Sequence, residues 1–75
     1  MFSKRAFHAY RRRAGLTMKK VANCLGIDII TLYGKLNGKT DFWRHEIDLT
    51  RALFNLTIQE ADEIFFCDEL TDTQV

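Results

Sequence analysis

The side chains of this chain that can do chemistry are mostly cations, and they crowd its first half. Before residue 40, Lys4, Arg5, the run Arg11-Arg12-Arg13, the pair Lys19-Lys20, Lys35 and Lys39 face a single acid, Asp28, a local balance of +8. From residue 40 onward Arg44 and Arg51 stand against nine acids, −7, so the formal net charge of +1 conceals a strong asymmetry. Such residues do ionic rather than covalent chemistry. They neutralise phosphates and release counterions, the main source of affinity for nucleic acid, so a basic pole turned to phosphate and an acidic pole turned away are expected. A solvated surface on which like charges cluster is the plainer account of the same numbers.

Other chemistries find little support. His8 and His45 are isolated, with no carboxylate or Cys at ligand spacing, so no metal site is expected. Cys24 and Cys67 fall outside any paired spacing and read as reduced, mostly buried thiols. The acids of the second half would have to converge in a pocket to act as general acid and base. A chain of 75 residues buries only about 60% of the surface its unfolded form exposes, which leaves little room for such a pocket. An enzyme is therefore not expected, nor is any cofactor. No apolar run approaches the ~20 residues of a membrane span, and no secretory apolar stretch follows Met-Phe-Ser-Lys-Arg. A soluble protein of the cytoplasm, with no membrane partner, is the expectation.

The elements that position the cations read as helices throughout. Ser3 is a good N-cap for a first helix running to Ala14, with Ala6, Phe7, Tyr10 and Ala14 at helical spacing and Gly15 as its stop. Thr17 caps a second helix with Met18, Val21, Ala22 and Leu25 inward, ended by Gly26, and Ile27 plugs the gap before the next. Asp28 caps a third, which continues through Leu32 and Leu36 to Asn37 and a left-handed turn at Gly38. A fourth begins near Asp41 or Phe42, with Ile47, Thr50, Leu53 and Phe54 inward and Asn55 as its exit. Thr57 and Glu60 form a capping box for a fifth, Ile58 to about Phe66, with Ala61, Ile64 and Phe65 inward. Residues 67–75 are acidic and carry too little apolar surface to offset ordering entropy, so they read as a frayed tail.

Thr17 to Gly38 is more restrictive than amphipathicity requires. Two short helices crossing closely need a small residue in the middle of the first and a glycine where the turn takes positive φ; Ala22 and Gly26, four apart, meet both demands. Val21, Leu25, Ile27, Leu32 and Leu36 supply the apolar lock. Here the chain resembles the Cro and repressor-like helix-turn-helix family of phage and bacterial regulators, the XRE family. The resemblance covers roughly residues 3–66, on Ala-Gly-Leu-Thr (14–17), Val-Ala (21–22), Leu-Gly-Ile (25–27), Thr-Leu-Tyr (31–33), Leu-Asn-Gly-Lys (36–39) and Phe42 with Glu46-Ile47. Asn-Leu-Thr (55–57) and Ile-Phe-Phe (64–66) are similar to the short phage-type members in particular.

The resemblance implies an all-α, compact five-helix, lambda-repressor-like DNA-binding domain over residues 1–66. Its second and third helices form the helix-turn-helix. It further implies a transcriptional regulator on the nucleoid of a bacterial host, commonly a homodimer on a two-fold operator in double-stranded DNA. The third helix would present Ile29, Ile30, Tyr33, Gly34 and Asn37 to bases in the major groove. That set is apolar for direct readout, which is strongest with Arg, Gln or Asn; isoleucines pack on thymine methyls, and Gly34 permits close approach. Phosphate contacts fall to Lys19 and Lys20 at the head of the second helix, to Lys35, Lys39 and Thr40, and to at least one of Arg11, Arg12 and Arg13. The arginine run also suits a helix C-terminus, where cations oppose the macrodipole. An exposed Ile-Ile pair beside a Tyr equally suits a protein partner, and some short phage members serve as antirepressors that bind another regulator. Trp43, next to Phe42, reads as a core lid over the third helix rather than a base-stacking platform. Adjacent Phe65 and Phe66 cannot both point inward, which makes Phe66 the candidate dimer or partner surface.

Overall fold

A computed structural model describes residues 2–66, and the expectations for Cys67 and the acidic tail lie outside them. Five helices follow one another: α1 (Lys4–Arg13), α2 (Met18–Leu25), α3 (Ile29–Leu36), α4 (Arg44–Phe54) and α5 (Ile58–Phe65), with no strand among the described residues. The caps explain where most of them begin. Ser3 Oγ accepts from the Ala6 N–H and Thr17 Oγ1 from the Lys20 N–H, each satisfying a donor the first turn leaves orphaned. Thr57 and Glu60 bond reciprocally at 3.0 and 3.1 Å, the expected capping box. Asp28 holds the N-cap position of α3 without a side-chain cap bond. Gly26 closes α2 at φ 72° and Gly38 follows α3 at φ 83°, conformations that cost a side chain steric strain.

The α4 start departs from expectation. Asp41 and Phe42 are not helical; the helix opens at Arg44 behind Trp43. The Asp41 carbonyl is held by Lys35 Nζ, and Phe42 turns inward to stack on Phe2, ring centroids 5.0 Å apart. Those contacts hold residues 37–43 as a non-helical strap between α3 and α4. Trp43 is therefore no lid: it is exposed, and of the two adjacent aromatics only Phe42 packs against the core.

Phe7 sits at the centre, fully buried, with Phe54 at 5.3 Å and Phe2 at 5.9 Å between ring centroids. Val21, Leu32, Thr50 and Ile64 complete the inaccessible interior. On α4 the buried stripe is Glu46, Thr50 and Phe54, four residues apart each, while Ile47 and Leu53 only pack against its margin. Ala14 and Cys24, both expected inside, are exposed: Ala14 is the C-cap of α1, and Cys24 lies on the outer side of α2.

The charge asymmetry along the chain does not become two clean poles. α1 lies along α5, and cations of the first half meet acids of the second there: Arg13 grips Glu60 through both guanidinium nitrogens at 2.7 and 3.1 Å, and Tyr10 Oη donates to Glu63. The Arg13 bonds, with the Thr57 backbone N–H, hold the Glu60 carboxyl down to about 2 from its usual 4.5. Because the folded-state value lies below the unfolded one, the stabilisation is complete above pH 4.5 and is lost as pH falls toward 2. Both groups are open to solvent, so the effect is modest and screened by salt. Glu60→Gln is expected to flatten the fall of Tm between about pH 5 and pH 2, measured by circular dichroism at low ionic strength; equal slopes in the two proteins would count against the bond.

Candidate nucleic-acid interface

α2 and α3, eight residues each, are joined by Gly26, Ile27 and Asp28 and pack on each other. α3 buries Leu32, Lys35 and Leu36, and its opposite side is open. Ile30 is 75% exposed and Tyr33 45%, three residues apart and so on one face, with exposed Asn37 one turn further. Ile29 does not join them. It is half-buried and packs on the core, which removes it from the expected base-facing set. At Gly34 an added Cβ would meet only Lys39 Cβ at 3.9 Å, so the fold itself does not require glycine; its absence of a side chain leaves the centre of the open face low. The same proximity places Lys39 beside that face, fixed by its N–H donating to the Gly34 carbonyl at 2.8 Å.

The flanking cations divide into free and committed. Lys19, Lys20, Lys39 and Arg12 are exposed, and their side chains make no hydrogen bond or ion pair among the described residues; Thr40 is exposed on the strap next to Lys39. Lys4 Nζ reaches across from α1 to Asn37 Oδ1 at 2.9 Å, so Lys4 closes the C-terminal end of the open face. Arg11 is committed: its Nη1 donates to the Leu16 carbonyl at 2.6 Å and its Nε to His8 Nδ1, which secures the α1–α2 turn. His8 can accept because burial first, then Arg11, Arg12 and Lys4, lower its pKa and keep it neutral. Arg13 is committed to Glu60 and to the Tyr10 ring. Of the arginine run only Arg12 remains available.

Lys35 requires the largest correction. Expected on the surface against phosphate, it is 5% exposed and ion-paired with Glu46 at 3.0 Å. The cause lies in its register: Leu32, Lys35 and Leu36 form one buried helical stripe, which carries the Lys35 side chain inward to Glu46.

No family model, curated protein or solved structure matches the chain. The candidate interface therefore stands on geometry and charge alone. Among the described residues no three His, Cys, Asp or Glu side chains converge as a metal site, and no helix is long and apolar enough to cross a membrane.

A second exposed feature lies between α4 and α5. Ile58 and Phe66, 66% and 61% exposed, edge a shallow cleft of about 470 Å³ floored by Phe42, Ile47 and Ala61. Of the adjacent phenylalanines Phe65 is buried and Phe66 outside, as the helical period demands.

Proposed function

We propose that the protein is a Cro-like transcriptional regulator that binds double-stranded DNA sequence-specifically, with α2 and α3 as a helix-turn-helix, and that it catalyses no reaction. What supports this most is the open face of α3: Ile30, Tyr33 and Asn37 in a row, with Lys4 and Lys39 beside it and Thr40 following. In the major groove Ile30 packs on thymine methyls, while Tyr33 and Asn37 supply the polar reach to base edges. Lys39, Thr40, Lys19, Lys20 and Arg12 contact phosphates, which sets orientation without reading sequence. The place of action is the bacterial cytoplasm, on the nucleoid.

One observation favours a second reading. Among the described residues Ile30 is the most exposed of the large apolar side chains and stands beside Tyr33, a pair that also suits the centre of a protein interface, as in an antirepressor that grips another regulator. Selection from a randomised duplex pool separates the two. The DNA reading expects wild type to enrich a defined site and Tyr33→Ala to enrich a relaxed or altered one; no enrichment by wild type would turn α3 toward a protein partner.

The α4–α5 cleft is the surface we assign to a homodimer. Its rim carries both signs, Arg44 and Arg51 with Asp48 and Asp62, so a two-fold axis can set each against its opposite on a second copy around Ile58 and Phe66. Ile58→Asp, at an exposed position in the first turn of α5, is expected to leave helicity intact and yield monomer in sedimentation equilibrium. Monomeric wild type at the same concentration would remove this assignment.

A further inference from the structure

We propose that the buried Lys35–Glu46 pair is a positioning device that fixes the strap of residues 37–43, and with it Lys39 and Thr40, against α3. The inference rests on the nucleic-acid reading for its function but not for its mechanics. Between Asn37 and Trp43 the chain has no helix or strand to hold it, yet Lys39 and Thr40 lie there. Both members of the pair grip it. Lys35 Nζ donates to the Asp41 carbonyl at 2.9 Å and lies 5.8 Å from the centre of the Phe42 ring. Glu46 Oε1 takes the Trp43 N–H at 2.8 Å and the Lys35 ammonium at 3.0 Å. The two side chains are 4% and 5% exposed, so water competes little for the ion pair itself.

The near end of the strap is tied to the same helix. The Gly38 N–H donates to the Lys35 carbonyl and the Lys39 N–H to the Gly34 carbonyl. Lys35 thus holds the strap at both ends, by its backbone at Gly38 and by its ammonium at Asp41. An apolar residue at 35 would fill the same space on the Leu32–Leu36 stripe but leave Asp41 untethered. A buried ion pair is seldom the most stable filling for a core position, and its retention here is explained by what it orients.

The test uses the full chain with Lys35→Met and Glu46→Gln together, a neutral replacement of similar volume that keeps an acceptor for the Trp43 N–H. Amide exchange at Lys39, whose N–H donates to the Gly34 carbonyl, is expected to accelerate at least tenfold while Phe7 and Ile64 keep wild-type protection. Against a random-sequence duplex, the slope of log K on log salt is expected to fall by about 1. In wild type Lys39→Ala should cost a similar slope; in the double variant it should cost little more. A mere packing role would leave that coupling absent. A folded double variant with wild-type exchange and additive Lys39→Ala overturns the proposal. Should the double variant not fold, wild type decides: strap amides at Lys39 and Trp43 that exchange as fast as an unstructured peptide overturn it, and strong protection supports it. Should wild type bind no duplex, the nucleic-acid reading falls alone, and exchange still decides whether the pair holds the strap.

Discussion

Glu46→Ala is expected to cost the protein a large share of its folding stability. The substitution removes the only carboxylate that, among the described residues, pairs with an ammonium 5% exposed, and deletes the acceptor for the Trp43 N–H at the head of α4. Breaking a buried pair from one side costs about 3–5 kcal/mol because the remaining charge is stranded without water. Losing a cap bond adds about 1 kcal/mol. A domain of this size holds roughly 4–11 kcal/mol in all, so a loss of about 4–6 kcal/mol removes a large part of it. Urea unfolding followed by far-ultraviolet circular dichroism reads it directly. A change below about 1 kcal/mol would mean that Lys35 escapes to solvent and that the pair contributes little, as exposed pairs do.

Replacing Lys19, Lys20 and Lys39 together by Ala is expected to weaken duplex binding about 500-fold at 0.1 M salt without altering the fold. All three side chains are exposed and make no ion pair among the described residues, so no core or cap depends on them. Each phosphate contact contributes about 0.9 to the slope of log K on log salt, so three removed contacts lower it by about 2.7 and, at 0.1 M, reduce K by about the same number of decades. At 0.2 M the deficit shrinks to about 80-fold, a signature that separates lost phosphate contacts from lost shape. An unchanged slope with reduced affinity would assign the effect elsewhere.

Much of the fold is legible in the sequence because its boundaries are local chemistry. Ser3, Thr17 and the Thr57–Glu60 box each act within one helical turn, and Gly26 and Asn55 end helices in left-handed geometry that few other residues adopt. The errors lie where a distant partner overrides local preference. Asp41 is a fair N-cap by type, but Lys35 occupies its carbonyl and Phe42 is drawn to Phe2, so α4 starts at Arg44. Trp43 is apolar and adjacent to a core residue, yet one core position existed there and Phe42 fills it.

The candidate interface was legible in composition and less so in detail. Ile30, Tyr33 and Asn37 share an open face as their spacing implies, whereas Ile29 follows the core. Charge and position along the chain direct Lys35, and at least one of Arg11, Arg12 and Arg13, to phosphate. Lys35 in fact meets Glu46, Arg11 the Leu16 carbonyl and Arg13 Glu60. For Lys35 the signal was present: it stands in register with Leu32 and Leu36, and Glu46 in register with Thr50 and Phe54, so two opposite charges sit on two buried stripes. For Arg13 and Glu60 no local pattern exists, since the contact depends on how α1 lies along α5.

The measurement that bears most directly on the central claim is an anisotropy titration of the full chain against the DNA upstream of its own gene and against random duplex, each at two salt concentrations. Sequence-specific DNA binding gives steep salt dependence for both, and upstream binding about 10³-fold tighter than random or better. Weak binding, equal for the two duplexes and insensitive to salt, would contradict it.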